Sequence, residues 1–351
     1  MSTKHKENEY SSISRIMSPI IGVSLSGIYT EILNQLRLLL GMRNRNQLII
    51  LMYHGVVQAP LKVYDWCFID EPSFRNQVKY LKRHFEVISL SEAAERLRNG
   101  KIYQPTAVIT FDDGFQNNYD IAFPILREAG LHATIFLVTG LVDTSDTVWF
   151  CRLNRALAET NKTSLEWDSY SFDLSGPGPK AKTASAIEDR LKKLSNPRLL
   201  TELRKIILEL GDDPDLSIEV RSPFRMLSHE AIKEMAASGL IEFGAHTHSH
   251  AILSLLSPNE RQDEIALSVA AIHDLAGLPC ELFAYPNGRA EDYNAEIIAT
   301  LEACGIRASV TAIECPNNEM TPLMELKRYG IGANLSMGKF KRKVWRGIWQ
   351  K

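Results

Sequence analysis

Cysteine is scarce in this sequence of 351 residues, and no Cys-x-x-Cys pair occurs. The count is odd and the positions are scattered, at Cys67, Cys151, Cys280, Cys304 and Cys315. This pattern excludes a disulfide framework and a thiolate zinc site. It favours incidental thiols in a reducing compartment, and we therefore expect a cytoplasmic protein.

An excess of charge of either sign is also missing. Lys and Arg number 40 against 42 Asp and Glu, so the net charge is −2 and no general basic field draws the chain to nucleic acid. Hydrophobic residues make up 45% of the chain, which is too many for a disordered protein. The composition therefore indicates a globular protein without a nucleic-acid partner.

Long hydrophobic runs are absent, so we predict no transmembrane helix. The first residues mix charged and polar side chains, and the apolar stretch that follows is broken by Ser18, Pro19, Gly22, Ser24 and Gly27. Because a secretory signal needs an unbroken apolar core, we expect no cleavable signal here.

Two terminal segments flank the main domain. Residues 1–47 are predicted to be an arm, disordered at first and then an amphipathic helix, because Ile or Leu recurs every four residues from Ile28 to Leu40. We favour a helix packed on the main domain, and the alternative is a peripheral anchor at the inner membrane face near lipid-linked sugars. Residues 336–351 are predicted to be a basic tail, either solvated or in contact with anionic lipid.

Strand and helix patterns alternate from residue 48 onward, which predicts a parallel α/β sheet or barrel. Continuous apolar runs predict buried strands at 48–53, 106–111, 133–138, 241–244 and 282–285. The segments between them predict helices at 73–83, 91–98, 122–129, 228–238, 258–276 and 294–303, the second with Ser91 as its N-cap. The alternation is interrupted over 150–222, which we interpret as a mostly helical insertion in a barrel domain spanning 48–335.

A pair of carboxylates, Asp112 and Asp113, follows one buried strand in the motif Thr-Phe-Asp-Asp-Gly. Neighbouring side chains on a strand point to opposite faces, so both can serve one site only where the strand breaks, and Gly114 provides that break. One carboxylate can bind a cation while the other acts as a base. The alternative is a strand-ending turn with solvated acids.

Three histidines follow another strand in the motif His-Thr-His-Ser-His. His246 and His250 are four residues apart, so a single helical turn would bring their rings to one face. Two imidazoles and one carboxylate, with water completing the shell, form an open catalytic zinc site. His248 would point away from that face, and we expect it to be solvated or structural.

Two further strand ends carry reactive side chains, His54 after the first strand and Tyr285 after the strand at 282–285. Because catalytic residues of α/β barrels come from the carboxyl ends of several strands, these residues are expected to converge with the aspartates and histidines on one site. Such convergence requires a single domain.

The motifs TFDDG, HTHSH and FAYPNG, in this order, resemble the polysaccharide deacetylases (carbohydrate esterase family 4, NodB homology). The resemblance implies a distorted (β/α) barrel of about seven parallel strands and one divalent metal ion, usually zinc. It implies that Asp113, His246 and His250 bind the metal and that Asp112 is the general base. It also implies that the backbone N–H of Tyr285 stabilises the oxyanion.

The chain departs from the common family pattern in two places. No arginine precedes Tyr285 to orient the base, and we take Arg328 as its substitute, with a surface arginine as the alternative. The late Leu-x-His motif of the general acid is missing as well. Some exopolysaccharide deacetylases of the family are circularly permuted, with this histidine in an early Tyr-His motif. His54 in Met-Tyr-His-Gly-Val matches that variant.

The resulting hypothesis is a metal-dependent hydrolase that removes N-acetyl groups from a polysaccharide or its lipid-linked precursor. Within the same family, a glycan O-acetyl esterase or a sugar amidase or deformylase would use the same groups. The alternative of a different class is a glycan-binding scaffold without catalysis.

Overall fold

The computed structural model describes residues 48–349, with side chains described as far as Trp345. The predicted N-terminal arm and its helix at 28–40 lie outside the described residues. No helix among the described residues has the length and apolar character needed to cross a membrane.

The strands occur in the order β1 (Leu48–Tyr53), β2 (Gly55–Val57), β3 (Phe68–Asp70), β4 (Glu86–Val87), β5 (Thr106–Phe111), β6 (Ala133–Leu137), β7 (Ser164–Trp167), β8 (Tyr170–Asp173), β9 (Ile241–Ala245), β10 (Leu282–Ala284), β11 (Ala308–Val310) and β12 (Tyr329–Gly330). The helices are α1 (Glu71–His84), α2 (Leu90–Arg98), α3 (Phe123–Ala129), α4 (Trp149–Glu159), α5 (Pro177–Leu191), α6 (Asn196–Glu209), α7 (His229–Ala237), α8 (Pro258–Ala276), α9 (Ala295–Ala303) and α10 (Met337–Trp349). Strands and helices therefore alternate along most of the described chain.

One parallel sheet carries the fold, in the order β11-β10-β9-β6-β5-β1-β12, with the short β4 also paired to β5. Every residue of β1 and of β5 is buried, as their continuous apolar sequences predict for strands covered on both faces. A parallel bridge between Val310 and Leu326 joins the β11 edge to the segment before β12, so the sheet curls. The predicted α/β barrel of parallel strands is confirmed.

The helix boundaries follow local capping rules. The predicted helix at 258–276 is confirmed as α8, which starts with a capping box of Ser257 and Glu260 and ends at Gly277, in the left-handed region. The predicted cap of α2 is wrong by two residues. The Ser89 hydroxyl accepts the N–H of Glu92, whereas Ser91 donates to the Glu242 carboxylate.

The insertion contains α4, α5 and α6 and also a β-hairpin, β7–β8, which the sequence pattern did not predict. Asp168 and Ser169 form its turn with φ of +51° and +63°, so a two-residue turn occurs without the Asn-Gly or Asp-Gly pair that normally signals it. The insertion shares a hydrophobic core with the Phe68 and Phe115 side chains of the barrel domain. It is therefore packed onto the barrel.

The predicted solvated basic tail is instead helix α10. Phe340, Val344 and Trp345 are buried in the main core, because their spacing places them on one face of the helix. The charged face remains outside, where the Lys343 ammonium donates to the Gly330 carbonyl and pairs with Glu314. Helix α10 therefore has a basic outer face and an apolar inner face. The basic residues alone predict only the outer face.

Candidate metal centre and active site

The carboxyl ends of parallel strands gather the predicted residues at one edge of the sheet. Residues Tyr53 and Phe111 pair across β1 and β5, and the N–H of Asp112 donates to the Tyr53 carbonyl at 2.9 Å. His54 and Asp112 are therefore neighbours at adjacent strand ends. His54, Asp112, Asp113, His246, His250, Tyr285 and Arg328 all line one cleft.

Asp113, His246 and His250 form a cluster in which one ligand atom from each lies within 4.8 Å of the others. The Nε2 atom of His250 lies 3.3 Å, and that of His246 3.7 Å, from Oδ1 of Asp113. Both carboxylate oxygens of Asp113 are buried and have no hydrogen-bond partner. An orphaned buried carboxylate facing two imidazole nitrogens fits a divalent ion such as zinc.

The protonation state of His246 also suits a metal ligand. Its Nδ1 lies 2.7 Å from the Ala284 carbonyl, so Nδ1 carries the proton and the lone pair of Nε2 faces Asp113. Burial lowers the pKa of His246 to about 4, although the Asp112 carboxylate opposes that shift. The ring is therefore neutral at pH 7, as metal binding requires.

The backbone around these residues differs from the predicted helical turn. Residues 246–250, here called the ligand loop, follow β9 without helical structure, and Thr247 and His250 both have φ of +61°. Asp113 and Gly114 are left-handed too, with φ of +73° and +81°. A side chain at Gly114 would be strained by this positive φ and would meet Leu137 Cδ2 at 2.6 Å, so the position favours glycine. These bends bring His250 and Asp113 into the site.

His248 lies outside the cluster, as predicted. Its Nδ1 is 3.1 Å from the Thr139 hydroxyl, and its carbonyl accepts the N–H of Gly140 at 2.8 Å. The residue has a structural role in holding the ligand loop to the segment after β6.

Asp112 forms a bidentate ion pair with Arg328, with nitrogen–oxygen distances of 2.6 and 2.7 Å. Arg328 is 1% exposed and its Nε donates to the Thr311 carbonyl, so the surface alternative is excluded. Burial, the largest single influence, would raise the pKa of Asp112, but the Arg328 guanidinium together with His246 and His54 outweighs it and lowers the pKa to about 2. Asp112 is therefore an oriented, ionised carboxylate.

His54 has neighbours that the sequence pattern did not reveal. The Trp66 ring packs edge-on against the His54 ring at 4.9 Å, and Nδ1 of His54 is buried without a hydrogen-bond partner. Asp65, also in the cleft, accepts hydrogen bonds from the Cys67 N–H and from Nδ2 of Asn154. Asp65 and Trp66 lie in the loop between β2 and β3, where no strand end or periodic pattern marks them.

Tyr285 does not offer the backbone group that the resemblance assigned to it. Its N–H donates to the Val310 carbonyl at 3.2 Å as part of the sheet, and its hydroxyl donates to the Met324 carbonyl. Two residues later, Asn287 has φ of +61° and lines the same cleft. The Asn287 N–H donates no hydrogen bond to any described residue. Of these two N–H groups, the one without a partner among the described residues is therefore that of Asn287.

Comparison with known proteins gives the family. The sequence profile of the polysaccharide deacetylases matches residues 99–309. The chain belongs to this family. The motifs at 110–114, 246–250 and 283–288 all lie inside the match. His54 and Arg328 lie outside it.

Individual relatives are distant. The chain is 26% identical over 185 residues to the poly-β-1,6-N-acetyl-D-glucosamine N-deacetylase of Staphylococcus epidermidis, an alignment that covers 50% of this chain and 60% of that protein. The deacetylase PplD of Streptococcus pyogenes matches with a TM-score of 0.57 and 19% identity, covering 87% of this chain and 99% of that one. IcaB from Ammonifex degensii matches with a TM-score of 0.54 and 20% identity, covering 85% of this chain and 97% of that one. The two structures support the deacetylase barrel fold.

The cleft has a volume of about 720 Å³ and one wall from the insertion, including Phe150 of α4, Glu188 of α5 and Lys192 immediately after α5. A larger cavity of about 1030 Å³ shares Asn154 with it but is lined by none of the predicted site residues. The smaller cleft is therefore the candidate active site. The insertion contributes to its shape.

Glu188 gives a pH-dependent prediction for this wall. Burial raises its pKa to about 7 despite Lys192 at 3.9 Å. Because the pKa is higher in the folded than in the unfolded protein, Glu188 does not affect the free energy of unfolding at pH values below its unfolded-state pKa. As pH rises toward 7 and above, it lowers the free energy of unfolding by up to about 3 kcal/mol. We expect Glu188→Gln to raise the free energy of unfolding by up to that amount at pH 8 and to change it little at pH 4. Urea denaturation at both pH values measures this. The exposed Glu166→Gln is the control, and an equal gain at both pH values would contradict the prediction.

Proposed function

We propose that the protein is a metal-dependent N-deacetylase of an N-acetylglucosamine polymer. One observation carries the proposal, namely the orphaned Asp113 carboxylate facing His246 and His250 beside the ionised Asp112. The Staphylococcus epidermidis relative, named for activity on poly-β-1,6-N-acetyl-D-glucosamine, supports this choice of substrate class.

Asp113, His246 and His250 would hold the metal ion, for which zinc is the best match to one oxygen and two nitrogen ligands. A bound divalent ion lowers the pKa of water toward ~7 and polarises the acetyl carbonyl. The chain itself supplies the remaining groups.

Asp112 takes the proton of the attacking water, because it is ionised and both its oxygens are held in place by Arg328. The water oxygen bonds to the acetyl carbon, and the Asn287 N–H is the backbone donor for the negative charge on the carbonyl oxygen. When the carbon–nitrogen bond breaks, His54 gives a proton to the departing amine. The products are acetate and a free amino sugar.

Substrate preference is tested by acetate release from β-1,6-linked and β-1,4-linked N-acetylglucosamine oligomers of equal length, with an O-acetylated glycan alongside. We expect the zinc-loaded protein to release acetate from the β-1,6-linked oligomer fastest. Preference for the O-acetylated glycan would indicate an esterase. Glycan binding without acetate release from any of the three would indicate a scaffold.

We also propose the location that the sequence suggests, in the cytoplasm or peripheral at the inner membrane face, with a lipid-linked precursor as a candidate substrate. The supporting features are the scattered cysteines and the amphipathic pattern at 28–40. Fractionation of cells that express a C-terminally tagged chain tests it, and recovery of the tag outside the cytoplasmic membrane would contradict it.

A further inference from the structure

The ligand loop is supported from two sides. On one side, the N–H groups of Thr139 and Gly140 donate to the carbonyls of Thr247 and His248. On the other side, the N–H groups of His248 and Ser249 are directed toward helix α8. The side chain that receives them is Glu264.

Glu264 makes three hydrogen bonds to the loop. Its Oε2 accepts the N–H groups of His248 and Ser249, both at 2.8 Å, and its Oε1 accepts the Ser249 hydroxyl at 2.6 Å. The residue next to it, Ile265, is fully buried in the main core. The carboxylate is therefore presented by a helix that is itself fixed by packing and by caps at both ends.

This contact lies between the two histidine ligands along the chain. Thr247 and His250 are non-glycine residues in the left-handed region, a conformation that persists only where the surroundings impose it. Hydrogen bonds to a carboxylate are stronger than neutral ones, and here they fix the two peptide groups between those left-handed residues. Without them, water can satisfy the N–H groups but cannot hold the loop in shape.

We propose that Glu264 is a positioning residue of the metal centre, which keeps the ligand loop in the conformation that aims His250 at Asp113. The inference rests on the proposed function, because it assumes that the cluster binds a metal ion. A loop that must be reordered on binding weakens the observed affinity. The predicted effect is therefore on metal affinity and not only on folding.

The test compares wild type with Glu264→Ala, Glu264→Gln and Asp263→Ala. Asp263 is an exposed acid on the same helix and serves as the matched control. Zinc affinity is measured by competition with a chromophoric chelator at pH 7. The melting temperature of each variant is measured with and without zinc. Glu264→Ala is expected to weaken zinc binding by about 10-fold or more, the range found for groups that support metal ligands.

Glu264→Gln is expected to stay within about threefold of wild type, since its amide oxygen can accept both N–H groups and its amide nitrogen can donate to the Ser249 hydroxyl. Asp263→Ala should leave zinc affinity unchanged. If the alanine variant does not fold, Glu264→Asp, too short to reach both peptide groups, is expected to weaken binding instead.

Equal zinc affinities for wild type and Glu264→Ala, with only the zinc-free melting temperature lowered, would show a structural role and overturn this inference alone. A wild-type protein that binds no zinc or other divalent ion would overturn the proposed metal centre, and this inference with it.

Discussion

Replacing Asp112 with asparagine is expected to lower kcat for acetate release by about 10³-fold, within the range lost when a general base is removed. Asparagine has nearly the same size and can still accept a hydrogen bond from Arg328, but it cannot take a proton from water. Zinc affinity should stay close to wild type, because Asp112 is engaged by Arg328 rather than directed at the His250 ring.

The control for this variant is Asp120→Asn, an exposed carboxylate in the short π-helical segment before α3 (Asn118–Ala122). It should change neither kcat nor zinc affinity. If Asp112→Asn kept wild-type turnover, the assignment of Asp112 as the base would be wrong. If it lost both zinc and activity, Asp112 would have to be counted as a ligand.

Asp113→Asn is expected to weaken zinc binding by more than about 100-fold, beyond the loss that outer groups produce, and to remove activity with it. Asparagine tolerates the left-handed backbone that this position requires, so the variant should fold. A neutral amide cannot replace the anionic ligand that two neutral histidines need to bind a divalent ion. Equilibrium dialysis with metal analysis measures the loss directly.

The two aspartate variants therefore form a pair with opposite signatures. Asp112→Asn should bind zinc and be inactive, and Asp113→Asn should be inactive because it binds zinc too weakly. Restoration of Asp113→Asn activity at modestly raised zinc concentration would contradict the assignment of Asp113 as an essential ligand. The pair separates metal binding from proton transfer, although the residues are adjacent.

Much of the site could be predicted from the sequence because parallel strands end at a common edge. The buried runs before His54, Asp112 and His246 locate those ends, and the structure places all three residues in one cleft. Arg328 could be named only as a candidate, since its contact with Asp112 spans 216 positions of the chain. Its burial depends on the closure between β11 and the segment before β12.

Other features of the site depend on backbone geometry that the spacing of residues along the sequence does not predict. His246 and His250 are four positions apart, a spacing that a helical turn and the observed loop both allow. The spacing therefore predicted that the two histidines act together, but not the backbone conformation between them. Whether the N–H of Tyr285 or that of Asn287 is free depends on where the sheet hydrogen bonds of β10 stop. Asp65 and Trp66 reach the cleft from a loop, where sequence patterns are weakest.

One measurement tests the central claim most directly. The purified protein is stripped of metal with a chelator, titrated with zinc, and assayed at each step for acetate release from a β-1,6-linked N-acetylglucosamine oligomer. We predict no release without metal and a rise that saturates at one zinc ion per chain. Release that is unchanged by chelation, or the absence of release at saturating zinc, would contradict the proposed metal-dependent deacetylase.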